Sequence, residues 1–214
     1  MSLLHYLSKK ISRKNLYKFI CNELKNVTKI NCLNIGSGGP VEELLKKNVS
    51  NYYSIDIDKS REPNEIMDIC SRSFTVNFYP NVICIFETLE HCQNPFKAME
   101  NIYKTLGNGD MCLASVPFNF HIHDEPNDFF RFTEYGCKLI FKDFSQVKVL
   151  RRNGWLESIF VNIIRLEKEK SFFSRIIGKL FIIINIIFYP IIIFIQKIIP
   201  SKKLTTGYFI VGIK

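Results

Sequence analysis

Short apolar runs with the composition of buried strands alternate with helical patterns along most of the chain, and this alternation limits the possible folds. The first run, at 30–35, leads into a glycine-rich turn and a helical pattern that starts with Pro40 and carries two glutamates in its first turn. Strands that alternate with helices predict an α/β protein, with a doubly wound, mostly parallel sheet covered by helices on both faces. Further strand-like runs lie at 52–56, 82–86, 111–116, 147–150 and 207–213, and further helical patterns at 95–106 and 133–141.

The positive charge of the chain is concentrated at its two ends. The formal net charge of +9 divides into +6 over residues 1–30, +7 over residues 170–214 and −4 over the residues between them. A nucleic-acid-binding protein usually carries its basic residues on a central working face, so we expect no nucleic-acid partner. Basic ends beside an apolar segment are instead typical of contact with an anionic membrane surface.

The two ends also differ from the middle of the chain in pattern. Residues 1–28 place apolar side chains at helical spacing among lysines, without the continuous apolar run of a signal peptide, and predict an amphipathic helical segment that packs against the rest. Residues 29–214 then form the main domain, with an apolar insert at 172–203. The seven cysteines include no C-x-x-C pair, so we expect buried reduced thiols, no disulfide, no structural zinc and a cytosolic protein.

The apolar insert has the composition of a membrane segment. Residues 180–199 are long enough to cross a bilayer, and the first sixteen of them carry no charge. However, Pro190 breaks or kinks a helix, and a single span would separate the strand at 207–213 from its sheet. We therefore predict two half-helices, hinged near Tyr189 and this proline, that dip 176–199 into one leaflet at the cytoplasmic face of the membrane. The alternative is a buried helical hairpin that covers the domain or a dimer interface.

The turn after the first strand has the features of a nucleotide-binding loop. Gly36 and Gly38 allow the backbone to approach a ligand closely, and the following helix offers free N–H groups. Asp56 lies about twenty residues further on, at the end of the second strand, where a carboxylate can accept both hydroxyls of a ribose. A dinucleotide fingerprint would require glycine in place of Val41, which disfavours a nicotinamide-dependent oxidoreductase, and the lysine of a P-loop is absent from the sequence.

Six motifs follow one another along the chain. They are Leu33-Asn-Ile-Gly-Ser-Gly-Gly39, Ser54-Ile-Asp56, Met67-Asp-Ile-Cys70, Phe86-Glu-Thr-Leu-Glu-His-Cys-Gln-Asn-Pro95, Leu113-Ala-Ser-Val-Pro117 and Pro117-Phe-Asn-Phe-His-Ile-His-Asp-Glu-Pro-Asn-Asp-Phe-Phe-Arg-Phe-Thr133. In this order they resemble the motifs of class I S-adenosylmethionine-dependent methyltransferases, and the last of them is similar to a stretch found in methyltransferases of bacterial surface glycans. The resemblance covers roughly 29–160 and returns at 207–214, and it implies a Rossmann-like fold with a seven-stranded sheet.

The resemblance also implies a cofactor, a reaction and a site. The cofactor would be S-adenosylmethionine, and the acceptor a small molecule, a sugar or a lipid-linked glycan. Catalytic roles are expected for His91, His123 and Asp128, because these residues follow the carboxyl ends of central strands and a hydroxyl acceptor needs a base. We expect His121 and Arg131 to contact the acceptor, with a clamp on the loop through Asp128 as the alternative for the arginine. No metal is expected, and the sequence does not predict the oligomeric state. The implied cofactor-binding residues are Asn34, Gly36, Ser37, Gly38, Asp56, Asp68, Ile69 and Glu87.

Three positions depart from the pattern of the resembled family. Asn34 stands where the first strand usually carries an acid, Pro40 replaces the third glycine of the loop, and Asn81 stands where an aspartate often begins the fourth strand. The amide of Asn34 can still hydrogen-bond the loop, but it offers no charge to the amino group of the cofactor. A non-catalytic, membrane-associated binding protein with the same fold is therefore the alternative function.

Overall fold

A single mixed sheet organises the chain, and the computed structural model describes it for residues 3–214, without the side chain of His5. Within these residues the strands are β1 (Asn31–Ile35), β2 (Asn51–Asp56), β3 (Glu65–Ile66), β4 (Val82–Phe86), β5 (Met111–Pro117), β6 (Gln146–Arg151) and β7 (Gly207–Ile213), in the spatial order β3-β2-β1-β4-β5-β7-β6. The first five strands are parallel, and β7 is antiparallel to both of its neighbours. The predicted doubly wound, mostly parallel, seven-stranded sheet is confirmed.

Helices cover both faces of this sheet. They are α1 (Leu3–Leu24), α2 (Gly39–Asn48), α3 (Pro95–Thr105), α4 (Glu134–Ile140), α5 (Trp155–Arg165) and α6 (Phe172–Ile198). Local sequence sets several of their first turns. Pro40 and Pro95 occupy the first turns of α2 and α3, and the Thr133 hydroxyl caps α4 by accepting the Gly136 N–H at 3.0 Å.

The alternation of side chains along each strand divides the core into two clusters. On one face, Leu33 and Ile83 pack with the apolar residues of α3 and α4. On the other face, Cys32 and Cys84 pack with α1 and α2. Because the central strands are buried on both faces, their sequences read as continuous apolar runs rather than as alternating ones.

The basic N-terminal helix is part of this core. Leu16, Phe19, Ile20 and Leu24 of α1 are buried, and the Phe19 ring stacks on Phe209 of β7 with the ring centroids 4.7 Å apart. The helix therefore packs against the domain, although the division of the chain at residue 28 stays a prediction. Its N-terminal half runs past the sheet and reaches the cleft described below.

The predicted pair of half-helices is wrong, because α6 continues through Pro190 without a break. Pro190 and Ile186, the residue whose carbonyl group loses its N–H partner, are both exposed. The opposite side of α6 is fixed along α5: Tyr189 donates to Glu157 at 3.0 Å, and so does Gln196. Packing against α5 thus keeps α6 continuous, although proline disfavours the interior of a helix.

The outer face of α6 is apolar and uncovered. A Cβ atom on Gly178 would come within 2.2 Å of the Glu167 backbone, so the helix can approach this close only because the residue is glycine. Of the helices in residues 3–214, α6 is the one long and apolar enough to cross a membrane, and 22% of its apolar stretch is buried. A core helix passes the same test of length and composition but is mostly buried. The exposed apolar residues of α6 are Phe172, Phe173, Ile176, Ile177, Leu180, Ile183, Ile186, Ile187, Phe188, Ile191, Phe194 and Ile198.

Candidate functional site

The turn between β1 and α2 brings backbone close to the end of β4. Gly36 and Gly38 have φ angles of +94° and +97°, which favour glycine. A Cβ atom on Gly36 would lie 2.5 Å from the Thr88 hydroxyl oxygen, whereas no heavy atom of the described residues lies within 4 Å of one on Gly38. The first glycine therefore permits close packing, and the second keeps the loop open towards the cleft.

The Asp56 carboxylate is fixed beside this loop at the end of β2. One of its oxygens accepts the Ser37 N–H and the other the Asp58 N–H, both at 2.8 Å. These bonds orient the carboxylate, and each oxygen retains a further lone pair. The side chain of Asp58 is 49% exposed and instead caps the short turn that follows by accepting the Ser60 N–H. Of the two aspartates, Asp56 is therefore the one whose carboxylate is hydrogen-bonded to the glycine loop.

The other predicted cofactor residues on this side of the sheet differ in exposure. Asn34 is buried, and its amide donates to the Gly36 carbonyl at 2.9 Å and to the Tyr52 hydroxyl at 3.0 Å. The exposed Asp68 carboxylate accepts a neighbouring backbone N–H, while the Ile69 side chain is buried in the core. All of these except Tyr52 line the cleft.

Glu87, which is partly buried, forms an ion pair with the buried Arg152 at the carboxyl edge of the sheet. Its carboxylate accepts two hydrogen bonds from the Arg152 guanidinium and one from the Ser115 hydroxyl at 2.7 Å. Burial raises the pKa of Glu87, but the attraction of Arg152 outweighs it and holds that pKa below its ordinary value. The predicted cofactor residue is therefore a charged group already held in place by an arginine.

Three side chains converge at the loop after β4. Glu90 is fully buried, and among the described residues neither of its carboxylate oxygens has a hydrogen-bond partner. One of these oxygens lies 3.9 Å from Nε2 of His91 and 3.9 Å from Nε2 of His123. The two histidine rings meet edge to face with their centroids 5.0 Å apart. Burial and the nearby charge of Glu87 raise the pKa of Glu90 well above its ordinary value.

The loop that carries His123 is held by an arginine clamp. Arg131 donates to both oxygens of Asp128 and to the backbone carbonyls of Phe120, His121 and Phe130, which uses all five of its N–H groups. These bonds lower the pKa of Asp128. All five N–H groups of Arg131 are thus used within the loop, which favours the clamp over acceptor binding, and the role of Arg131 towards the acceptor stays a prediction.

Asp128 and His121 occupy different positions relative to the cleft. Asp128 accepts the backbone N–H of His123 at 2.8 Å and lies 3.4 Å from Nδ1 of its ring, so it orients that ring from behind. His121 packs on Phe120 and faces the cleft, and burial together with the charge of Arg165 lowers its pKa to about 4. Of the predicted acceptor residues, His121 is the one that the structure leaves available.

These groups open onto one cleft of about 900 Å³ at the carboxyl ends of the parallel strands. The glycine loop, Asp56 and Asp68 line one part of it, and His91, His121 and His123 line another. Ligands of doubly wound sheets bind at this edge, because the strands end there and the following loops diverge. The structure therefore brings the two predicted halves of the site together.

A basic wall, defined here as Lys9 and Arg13 of α1 together with Arg165 and Lys168, lines part of the cleft. Arg165 is buried and donates to the Ser12 hydroxyl at 2.6 Å, but its Nε has no hydrogen-bond partner in the described part of the chain. Burial and the charge of Arg13 lower the pKa of Arg165 to about 10, and burial and Arg165 lower that of Lys168. Crowded cations of this kind favour an anionic ligand.

Several of these groups were not assigned to the site from the sequence. Glu90 lies between Leu89 and His91 in the fourth motif of the resemblance. The motif places it near the end of β4, but the sequence does not predict that its side chain is buried. Arg152 and Arg165 are distant in sequence from the residues they face. Their only sequence signal is a charged residue at the end of a strand or helix, which is common on any protein surface.

A sheet with β7 inserted antiparallel between β5 and β6, and with a glycine loop and an acid after its first two strands, is the Rossmann-like methyltransferase fold. A family profile of the methyltransferase domain matches residues 3–157, which is most of the chain. The protein belongs to this family. It is an S-adenosylmethionine-dependent methyltransferase, and S-adenosylmethionine is its cofactor.

Solved structures of low sequence identity share the fold. An S-adenosylmethionine-dependent methyltransferase from Archaeoglobus fulgidus superposes with a TM-score of 0.61 and 16% identity over 94% of both chains. Phosphoethanolamine N-methyltransferase 2 from Haemonchus contortus, in complex with S-adenosylmethionine, gives a TM-score of 0.56 and 14% identity over 94% of this chain and 52% of its own. The N-methyltransferase NodS from Bradyrhizobium japonicum, in complex with S-adenosylhomocysteine, gives a TM-score of 0.52 and 15% identity over 66% of this chain and 79% of its own. No curated protein sequence matches the chain.

These findings decide between the functions considered from the sequence. The predicted methyltransferase family, cofactor and enzyme class are confirmed, and the nicotinamide-dependent oxidoreductase and the non-catalytic binding protein are not favoured. The resemblance to surface-glycan methyltransferases, the roles of the individual site residues and the contact with a membrane stay predictions.

Proposed function

We propose that this methyltransferase acts at the cytoplasmic face of a membrane, on a hydroxyl group of an anionic glycan or lipid-linked sugar. The observation that carries the proposal is the single cleft, which joins the loop around Asp56 to His91 and His123 and is bounded by the basic wall. The loop around Asp56 suits the cofactor, and the two histidines suit a hydroxyl acceptor. The basic wall suits a negative charge on that acceptor.

We assign the cofactor to the part of the cleft beside β1 and β2. Asp56 would accept the two ribose hydroxyls, because its carboxylate is already oriented by two backbone N–H groups. Asp68 and the edge of Ile69 would contact the adenine. Glu87, held by Arg152, would face the charged end of the cofactor. The loop residues Gly36, Ser37 and Gly38, with Asn34 behind them, would receive its amino-acid part.

The reaction requires an acceptor oxygen, a methyl carbon and sulfur in line. The oxygen lone pair forms a bond to the methyl carbon while the carbon–sulfur bond breaks. The electrons of the broken bond pass to sulfur, so that S-adenosylhomocysteine leaves. The acceptor proton passes to Nε2 of His91 or His123. Asp128 is a positioning residue, since it supports His123 from the opposite side of the ring. Most of the rate comes from alignment of the two substrates.

The basic wall supports a negative charge on the proposed acceptor. Arg13, Arg165 and Lys168 lie together at the cleft, and the pKa values of Arg165 and Lys168 are lowered. A phosphate or carboxylate on the acceptor would relieve this repulsion and would supply a partner for the buried Arg165 Nε. Lipid-linked sugars carry such phosphates, which links this wall to the proposed membrane location.

The outer face of α6 supports membrane contact. The helix is about 40 Å long and lies along α5, so its exposed apolar residues form a strip on the surface of the domain. Arg175 and Lys179 near one end, and Lys197, Lys202 and Lys203 near the other, are exposed and suit anionic headgroups. A transmembrane orientation is disfavoured because eight residues separate α6 from β7, which lies inside the sheet.

The acceptor class is tested by following methyl transfer from radiolabelled S-adenosylmethionine to matched pairs of acceptors. One member of each pair carries a phosphate, as in a polyprenyl-phosphate-linked sugar, and the other is the neutral glycoside of the same sugar. We expect transfer to the phosphorylated member, and an Arg165→Gln variant should lose that preference by raising KM rather than by abolishing transfer. Equal use of both members by the wild-type protein would contradict the anionic acceptor.

Membrane binding is tested by flotation with anionic vesicles at low and high salt. The triple change of Ile183, Ile187 and Ile191 to serine removes three outward side chains without touching the face packed on α5. Their burial in lipid is worth about 3 kcal/mol in total, or roughly a hundredfold in partitioning, and resists salt. The control replaces Lys10 and Lys18 of α1 with glutamine. If only the lysine variant stops floating, the membrane contact lies on α1. If the wild-type protein stays soluble and forms a dimer, α6 is a dimer interface instead.

A further inference from the structure

The carboxylate of Glu90 has no partner that explains its burial. The residue is fully enclosed, and neither of its oxygens has a hydrogen-bond partner among residues 3–214. Its Oε1 atom nevertheless faces two nitrogen atoms, Nε2 of His91 and Nε2 of His123, each at 3.9 Å. A buried carboxyl group usually has a hydrogen-bonded partner, and these two nitrogen atoms lie beyond hydrogen-bond distance.

Both histidines are held in the orientation that leaves Nε2 free to coordinate. Nδ1 of His91 lies 2.6 Å from the Asn127 carbonyl oxygen. Nδ1 of His123 lies 3.3 Å from the His121 carbonyl oxygen and 3.4 Å from the Asp128 carboxylate. An oxygen acceptor near Nδ1 favours the imidazole tautomer that is protonated at Nδ1 and leaves the Nε2 lone pair free. A histidine that binds a metal is commonly oriented by such a partner.

We propose that Glu90, His91 and His123 bind one divalent cation such as Zn²⁺. Their three ligand atoms lie within 4.8 Å of one another, and a tetrahedral zinc ion would draw them to separations of about 3.3 Å, a movement of about 1 Å or less for each side chain. Two imidazoles and one carboxylate leave further coordination positions open, as in catalytic zinc sites. His91 and His123 line the cleft, so the open positions face the acceptor side. This site departs from the sequence-based expectation of no metal.

The consequence for catalysis rests on the proposed function. A hydroxyl bound to the cation would lose its proton to solvent more readily, because the cation stabilises the oxygen anion that attacks the methyl carbon. His91 and His123 would then act through the cation, in place of the role as base that the proposed function gives them. Binding of the cation is a separate property, and it can be measured without any acceptor.

The test is calorimetric titration of the chelator-treated full chain with Zn²⁺ alone. We expect one site, and substitution of a ligand, Glu90→Gln or His123→Ala, should weaken binding by at least about a hundredfold, which exceeds the usual cost of changing an outer partner. Asp128→Asn, which alters such an outer partner of His123, should weaken binding by about ten- to a hundredfold. His121→Ala is the matched control, since this neighbouring histidine is outside the set, and it should leave the affinity unchanged.

Two further measurements keep the result interpretable if a variant does not fold. Zn²⁺ should raise the melting temperature of the wild-type protein, and a chelator should reverse the rise. Co²⁺ should give a visible spectrum without thiolate charge transfer, which excludes binding by the cysteines. Zn²⁺ affinity that is unchanged in Glu90→Gln, or no stoichiometric binding to the wild-type protein, overturns the proposal. Methyl transfer that proceeds without any bound metal would overturn the catalytic role of the cation while leaving the proposed function intact.

Discussion

Replacement of Asp56 by alanine should weaken cofactor binding far more than the same change at Asp58. The Asp56 carboxylate is held by two backbone N–H groups at 2.8 Å and lines the cleft, whereas the Asp58 side chain is half exposed and caps a local turn. A hydrogen bond to a charged acceptor contributes about 1.5–3 kcal/mol, so the loss corresponds to about a ten- to a hundredfold weaker affinity. The Asp58 change should cost less than about threefold, as is usual for exposed polar groups.

The assay is calorimetric titration with S-adenosylmethionine and with S-adenosylhomocysteine. Because Asp56 also accepts the Ser37 N–H, alanine at this position disturbs the loop as well as the ribose contact. Asp56→Asn separates the two effects, since its amide oxygen still accepts one N–H and the side chain keeps its size. Melting temperatures of all variants show whether the loop has lost stability. Equal losses of affinity for the changes at 56 and 58, or no loss at 56, would refute the ribose assignment.

Two further predictions concern the glycine loop and the pH dependence of stability. Gly36→Ala should lower the free energy of unfolding more than Gly38→Ala, because both strain a positive φ but only the first meets the Thr88 hydroxyl at 2.5 Å. Adding Thr88→Ala should recover the difference, and urea unfolding measures all three. Burial lowers the pKa of His121 from 6.5 to about 4, so stability present above pH 6.5 should be lost as the pH falls towards 4. His121→Phe should flatten that part of the urea-unfolding profile, and an unchanged slope would contradict the burial argument.

Much of the fold could be predicted because its signals are local. Apolar runs mark the central strands, and proline or threonine at the start of a helix marks α2, α3 and α4. Two elements had weaker signals: β3 has only two residues, and α5 was not separated from the segment around it. The position of β7 between β5 and β6 has no local signal at all, and the sequence did not predict it.

The proline in α6 and the charged groups at the cleft show what local patterns cannot supply. Pro190 breaks a helix in isolation, but contacts of Tyr189 and Gln196 with Glu157 hold both halves in line. Likewise, the role of Arg131 depends on five acceptors within a folded loop. Spacing predicts which residues reach the edge of the sheet, whereas the partner of each charge is set by tertiary structure.

The position of β7 also has a consequence for synthesis of the chain. Within residues 3–214, β6 joins the sheet only through β7, and 55 residues separate the two strands. A nascent chain therefore presents α6, with its apolar outer face, before the strand that completes the sheet has been made. Every residue that lines the cleft precedes α6 in the chain, whereas β6 stays unpaired until β7 has been made. Synthesis thus completes the lining of the cleft before it completes the sheet.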